Sequence, residues 1–172
     1  MEQLLFIARS SIEGFLKEGK VPKFEISSEK LREKRGTFVT IKKQGQLRGC
    51  IGCMVGDNPL YQIVSQMAIA AALEDPRFPP VTKNELPELE YEISVLGPLK
   101  KVNSPKEIQL GVHGVQVVAG YNTGLFLPQV ATENDWGLET FLDNLMLKAG
   151  LPLEYWKNNP VDFYVFEAEV SA

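Results

Sequence analysis

GTFVTIKKQGQLRGCIG, residues 36–52, holds two runs of β-forming residues around a break. Thr37, Phe38, Val39, Thr40 and Ile41 make the first run, Gln44 and Gly45 punctuate, and Leu47 to Ile51 resume it. The spacing predicts an antiparallel hairpin. Asn58 and Pro59 then form an N-cap and first-turn pair, and Leu60, Ile63, Val64, Met67 and Ala71 fall on one face, predicting a helix over 59–74. Its stop is Glu74, Asp75, Pro76, Arg77, Phe78, Pro79, Pro80, where the prolines forbid continuation and hold the backbone extended.

On the N-terminal side, Leu4, Leu5, Ala8, Ile12, Phe15 and Leu16 recur at helical spacing up to Gly19, predicting a helix over 2–18. Ser27 to Arg35 mixes charges of both signs and suits a solvated helix or loop. On the C-terminal side, Thr82 with Glu85 and Ser104 with Glu107 are capping boxes, and Glu90 to Leu96 alternates as a strand. Val112 to Ala119, which contains His113, is expected to pair with Leu125 to Leu127 across a turn at Gly120 to Gly124. Leu138, Phe141, Leu142, Leu145 and Ala149 trace another helix closing on Gly150. Val161 to Val170 is apolar on both faces, as in the middle of a helix-covered sheet. Hairpins and helices without regular β-α-β alternation predict an α+β fold, in a single domain over 1–172.

The 172 residues are 44% hydrophobic and 23% charged, an ordinary globular composition. The net charge of -4 argues against a broad phosphate-binding face, so nucleic acid is disfavoured. Two cysteines three positions apart make no disulfide framework, and no apolar stretch approaches the ~20 residues of a membrane span. A cytoplasmic protein without membrane insertion is expected. No phosphate-binding glycine motif and no cysteine cluster announces a cofactor, and one histidine with two cysteines cannot complete a structural zinc site, so no cofactor and no metal are expected.

The candidate chemistry gathers in QLRGCIGC, residues 46–53. A guanidinium is rarely buried unpaired, glycines let a backbone come close to another group, and a neighbouring cation favours the thiolate form of cysteine. Cys50 and Cys53, at i and i+3 of a strand, point to opposite faces, which argues against a redox pair. Cys50 reads either as a nucleophile assisted by Arg48, with His113 as general base, or as a small buried hydrophobe beside a histidine satisfied in its Gly111 to Gly114 turn. Arg48 either pairs internally with Glu74 or Asp75, or clamps an anion while Gly49 and Gly52 offer backbone N–H groups. Arg77 is a second candidate anion ligand on a proline-fixed rim, and Gln129 a candidate polar contact; Trp136 is a candidate aromatic one.

At LRGCIG, residues 47–52, the chain resembles the AMMECR family, also called AmmeMemoRadiSam system protein A. The likeness extends through residues 36–52, AIAAALEDPRFPPV at 68–81, GVHG at 111–114, LPQVA at 127–131 and FLDNLMLKAGLP at 141–152. It implies a larger lobe made from both chain ends and a smaller middle lobe, intertwined, each an antiparallel sheet with flanking helices, with LRGCIG lining a cleft between them. Cys53 departs from the family pattern, which more often has a small polar residue there, so a mechanism needing both thiols would not be shared. Members of the family occur beside or fused to a Memo-like protein and a radical SAM protein. The resemblance implies a shared pathway, and the arginine and thiol of LRGCIG make the expected role an enzyme or ligand-binding component of it, using Arg48 and Cys50 on a small anionic or electrophilic molecule. A non-catalytic partner or scaffold in that pathway is the alternative, and RNA binding a third.

Overall fold

The chain begins with α1 (Glu2–Glu18), which ends where Gly19 takes a left-handed conformation and its N–H bonds to the Phe15 carbonyl at 2.9 Å. The computed structural model describes all residues, 1–172. The hairpin follows as β1 (Thr37–Lys43) and β2 (Gln46–Cys53), joined by Gln44 and Gly45, both at positive φ. Such a two-residue turn matches the twist of the strands it joins.

Helix α2 (Leu60–Leu73) comes next, one residue inside the expected range at each end. Asn58 does not cap it: the N-cap is Pro59, with no side-chain cap, and the Leu60 N–H instead reaches the Glu33 carbonyl at 2.9 Å. The charged 27–35 segment thus closes a helix end. Strand β3 (Leu89–Leu96) follows a short turn on which the Thr82 and Glu85 capping box forms as expected.

The remaining strands and helices are β4 (Lys100–Val102), β5 (Gly114–Ala119), β6 (Asn122–Phe126), α3 (Gln129–Glu133), α4 (Leu138–Lys148), α5 (Tyr155–Asn158), β7 (Asp162–Phe166) and β8 (Ala168–Ser171). The β5–β6 turn is tighter than expected, with Ala119 opposite Asn122 and only Gly120 and Tyr121 between them. The apolar run 161–170 is not one strand. It breaks at Glu167, whose carbonyl accepts the Gly97 N–H at 2.7 Å, and its halves join different sheets: β7 lies inside one and β8 at the edge of the other.

Two compact units result, residues 1–96 with 169–172, and residues 97–168. In the first, a sheet of order β2-β1-β3-β8 is covered on one face by α1 and α2. Val39, Ile41 and Ile93 meet Leu4, Ile7, Val64 and Ala68 there, all essentially inaccessible to solvent. In the second, a sheet of order β4-β7-β5-β6 packs Val115, Val117, Phe163 and Val165 against Phe141, Leu142, Leu145 and Met146. Trp136 belongs to this second core, its ring 5.9 Å from that of Phe126. The fold is α+β with two antiparallel sheets and flanking helices. No helix is long and apolar enough to cross a membrane.

Candidate functional site

β2 is an edge strand, so half of its backbone polar groups have no strand to pair with. Opposite β1, Ile41 faces Gly49 while Lys42 faces Leu47, which leaves Arg48 as the extra residue of a β-bulge. A bulge re-aims its side chain and increases the local twist. Here it turns Arg48 along the sheet towards the loop beyond α2.

The Arg48 guanidinium is engaged at three nitrogens. Nε and one terminal nitrogen donate to the two Glu85 carboxylate oxygens at 3.0 and 3.2 Å, and the other donates to the Pro79 carbonyl at 2.8 Å. Both side chains are largely buried, 13% exposed for Arg48 and 17% for Glu85. The internal partner is therefore Glu85 and not Glu74 or Asp75. Glu85 serves twice, since its Oε2 also accepts the Thr82 N–H at 2.9 Å to close the capping box. Arg48 first, and then the Thr82 N–H, hold the Glu85 carboxyl down at about 2.

A stability test follows. The Glu85 carboxyl lies lower in the folded chain than in the unfolded one, so its contribution is present above about pH 4.5 and fades as pH falls towards 2. Glu85→Gln should cost on the order of 2 kcal/mol in urea unfolding at pH 7, and the gap to wild type should shrink steadily below pH 4. An equal gap at pH 3 and pH 7 would show that the ion pair contributes nothing.

Gly49 is the point where α2 meets the strand. A Cβ there would overlap the Ala71 carbonyl of the last turn of α2, so only glycine lets the helix end lie on β2. Gly52 sits under the Phe38 ring in the same way. The two glycines are therefore close-packing positions. The approach at Gly49 brings Asp75, just past the helix, to the outer edge of β2.

There the Asp75 Oδ2 accepts the Cys50 N–H at 2.9 Å, and an Arg77 terminal nitrogen donates to the Cys50 carbonyl at 3.3 Å. The same arginine grips Asp75 through Nε at 2.9 Å and a terminal nitrogen at 2.7 Å. Two side chains thereby stand in for the missing neighbouring strand. Arg77 lies first among the causes that hold the Asp75 carboxyl well below the usual carboxylate range, the Cys50 amide adds to it, and burial opposes both. The Arg77 side chain is 54% exposed, whereas that of Asp75 is 2% exposed.

Because Gly49 points at α2, Cys50 points to the face away from the helices, beside its cross-strand neighbour Thr40. Thr40 Oγ1 donates to Cys50 Sγ at 3.2 Å. The thiol is half-buried and is absent from the hydrophobic core. Arg77 is raised mainly by Asp75, with a smaller electrostatic contribution from the Cys50 sulfur itself.

The other candidates belong to the second unit. His113 lies just before β5, in the turn, with its Nδ1 accepting the Gln109 N–H at 3.1 Å. So held, the neutral ring carries its proton on Nε2 and offers a donor there. Gln129 opens α3, and its backbone carbonyl accepts the Thr132 hydroxyl at 2.9 Å. The structure thus gathers Cys50, Asp75 and Arg77 at one place and Arg48 with Glu85 along the same strand. Thr40 and Glu85 were missed in the sequence; the signal for Thr40 was its place opposite Cys50 in the hairpin register.

A sequence profile of the AMMECR1 family matches residues 5–171. A protein of Methanopyrus kandleri is 44% identical over 98% of this chain and 86% of its own length. One of Nanoarchaeum equitans is 44% identical over 95% of each. The crystal structure of an uncharacterized protein from Pyrococcus horikoshii superposes with a TM-score of 0.92 at 38% identity, covering 98% of this chain and 89% of that one. The chain belongs to the AMMECR1 family.

Proposed function

We propose that the chain is a cytosolic ligand-binding or enzymatic component that acts with Memo-like and radical SAM proteins, and that it engages a small anionic or electrophilic molecule at Cys50. The observation that carries this reading is the surrounding of the sulfur. A half-buried thiol accepts a hydroxyl hydrogen bond from Thr40, and the half-exposed Arg77 guanidinium is fixed at the carbonyl of the same residue. Hydrogen-bond donation and nearby positive charge both favour the thiolate form of the sulfur, and the guanidinium favours an approaching anion. Arg48, with its nitrogens on Glu85 and Pro79, supports the strand from below.

The test compares iodoacetate with iodoacetamide as alkylating agents of Cys50 in a Cys53→Ser background. Arg77→Gln should lower the iodoacetate rate constant about fivefold, the size expected for one partly solvated charge, and leave iodoacetamide within about twofold. A rate ratio indifferent to Arg77, in protein whose circular dichroism is unchanged, would remove Arg77 from the site.

The charges of Arg48, Arg77, Asp75 and Glu85 are all engaged in internal pairs, which favours a second reading, a non-catalytic partner whose strand edge shapes a docking surface. On that reading, alkylation of Cys50 weakens co-purification with the Memo-like protein and no small molecule is found.

A further inference from the structure

Residues 20–28 form no helix or strand, yet they are pinned to the first unit at several points. Pro22 and the Lys20 carbonyl lie so close to Gly14 of α1 that a Cβ there would come within 2.8 Å of each. Gln3 Nε2 donates to the Glu25 carbonyl at 3.3 Å, Arg32 to the Ile26 carbonyl at 2.8 Å, and the Phe24 ring stands edge-on to Phe6 at 6.4 Å. An irregular segment fixed in this way is a wall, and it stands off the N-terminal half of α2.

Between them is an open groove of about 480 Å³. That size falls in the range of small-molecule pockets. Pro22, Phe24 and Tyr61 give it apolar and aromatic surface. Its floor is Ser65, whose hydroxyl is paired with Ser11 at 2.7 Å and buried. The Tyr61 hydroxyl accepts from Gln62 Nε2 at 2.9 Å, so its own hydrogen remains to donate, and Gln66 is exposed at the rim. Lys23 is the one charged residue of the lining, and it makes no ion pair within the chain.

We propose that this groove is a binding site for a small aromatic anion, its flat apolar body lying between Phe24 and Tyr61 and its anionic group at Lys23. The site stands apart from Cys50: it uses the first turns of α2, whereas Cys50 is served by residues beyond the helix's last turn. Aromatic rings place apolar area at low entropic cost, and an unpaired ammonium selects the sign of the ligand.

The probe is anilinonaphthalene sulfonate, followed by its fluorescence on the full chain, with uncharged phenylnaphthylamine as the comparison. Saturable binding of one equivalent of the sulfonate is expected. Lys23→Glu should weaken it about tenfold and leave the neutral probe nearly unchanged, and Gln66→Trp, which fills the groove from an exposed helical position, should abolish both. Cys50→Ser should alter neither, which separates this site from the proposed thiol chemistry. Absence of saturable binding, or binding that survives Gln66→Trp, overturns the site. Sulfonate binding indifferent to Lys23→Glu overturns the anionic class and with it the proposal.

Discussion

Replacing Asp75 with alanine should destabilise the chain by about 3 kcal/mol, one of the two largest effects expected of a single substitution here. Its carboxylate is 2% exposed and satisfies the Cys50 N–H on the edge of β2 while holding Arg77 through two nitrogens. Removal orphans two backbone donors, the Cys50 and Arg77 N–H groups, and strands a guanidinium. The Arg77 side chain is half-exposed and can turn to water, so most of the cost falls on the two backbone amides and the lost charge-assisted bonds. Asp75→Asn keeps an acceptor for the Cys50 amide and should cost about half as much. Urea midpoints at pH 7 with unchanged slopes measure both, and an alanine variant within 1 kcal/mol of wild type would show that the edge of β2 needs no cap.

The same substitution carries a pH signature. The folded Asp75 carboxyl sits well below its usual range, so its stabilisation is present above about pH 4 and is lost as pH falls below that value. The gap between wild type and Asp75→Asn should narrow in acid. Asp75 and Glu85 share that window, so both pairs on β2 weaken together on acidification.

Regular periodicity made much of this legible in the sequence. Helix α1, the first hairpin, the capping boxes and the closure of α4 at Gly150 lie where spacing and end signals placed them. What escaped depends on contacts between distant residues. The break at Glu167 has no glycine or proline to announce it; the apolar FYVF gives way to Glu167 and Glu169 within a segment that still reads as strand, and the Gly97 hydrogen bond fixes the point. Strand β4 has three residues and no pattern to read. At the site, the arginine in LRGCIG was legible as needing a partner, but Glu85 lay hidden behind its other task, the turn it caps. The bulge at Arg48 exists only in the register between two strands, so no property of β2 alone reveals it.

Gly49→Ala should cost at least as much as loss of Asp75, about 3 kcal/mol or more, because the added methyl meets backbone and not a movable side chain. The Ala71 carbonyl it would strike belongs to the last turn of a helix packed along the core, so either β2 or the helix end must shift. Gly45→Ala is the control: its Cβ would meet nothing, and its positive φ alone should cost about 1 kcal/mol. Loss of the close approach also carries Asp75 away from the Cys50 N–H, since only a few residues separate it from Ala71. The two variants therefore remove part of the same structure. A double variant of Gly49→Ala and Asp75→Ala should lose clearly less than the sum of the single costs, by more than 0.5 kcal/mol. Strict additivity in that cycle would mean that the glycine packs the helix and the aspartate caps the strand as unrelated devices, and the chain of cause from glycine to thiol would be broken.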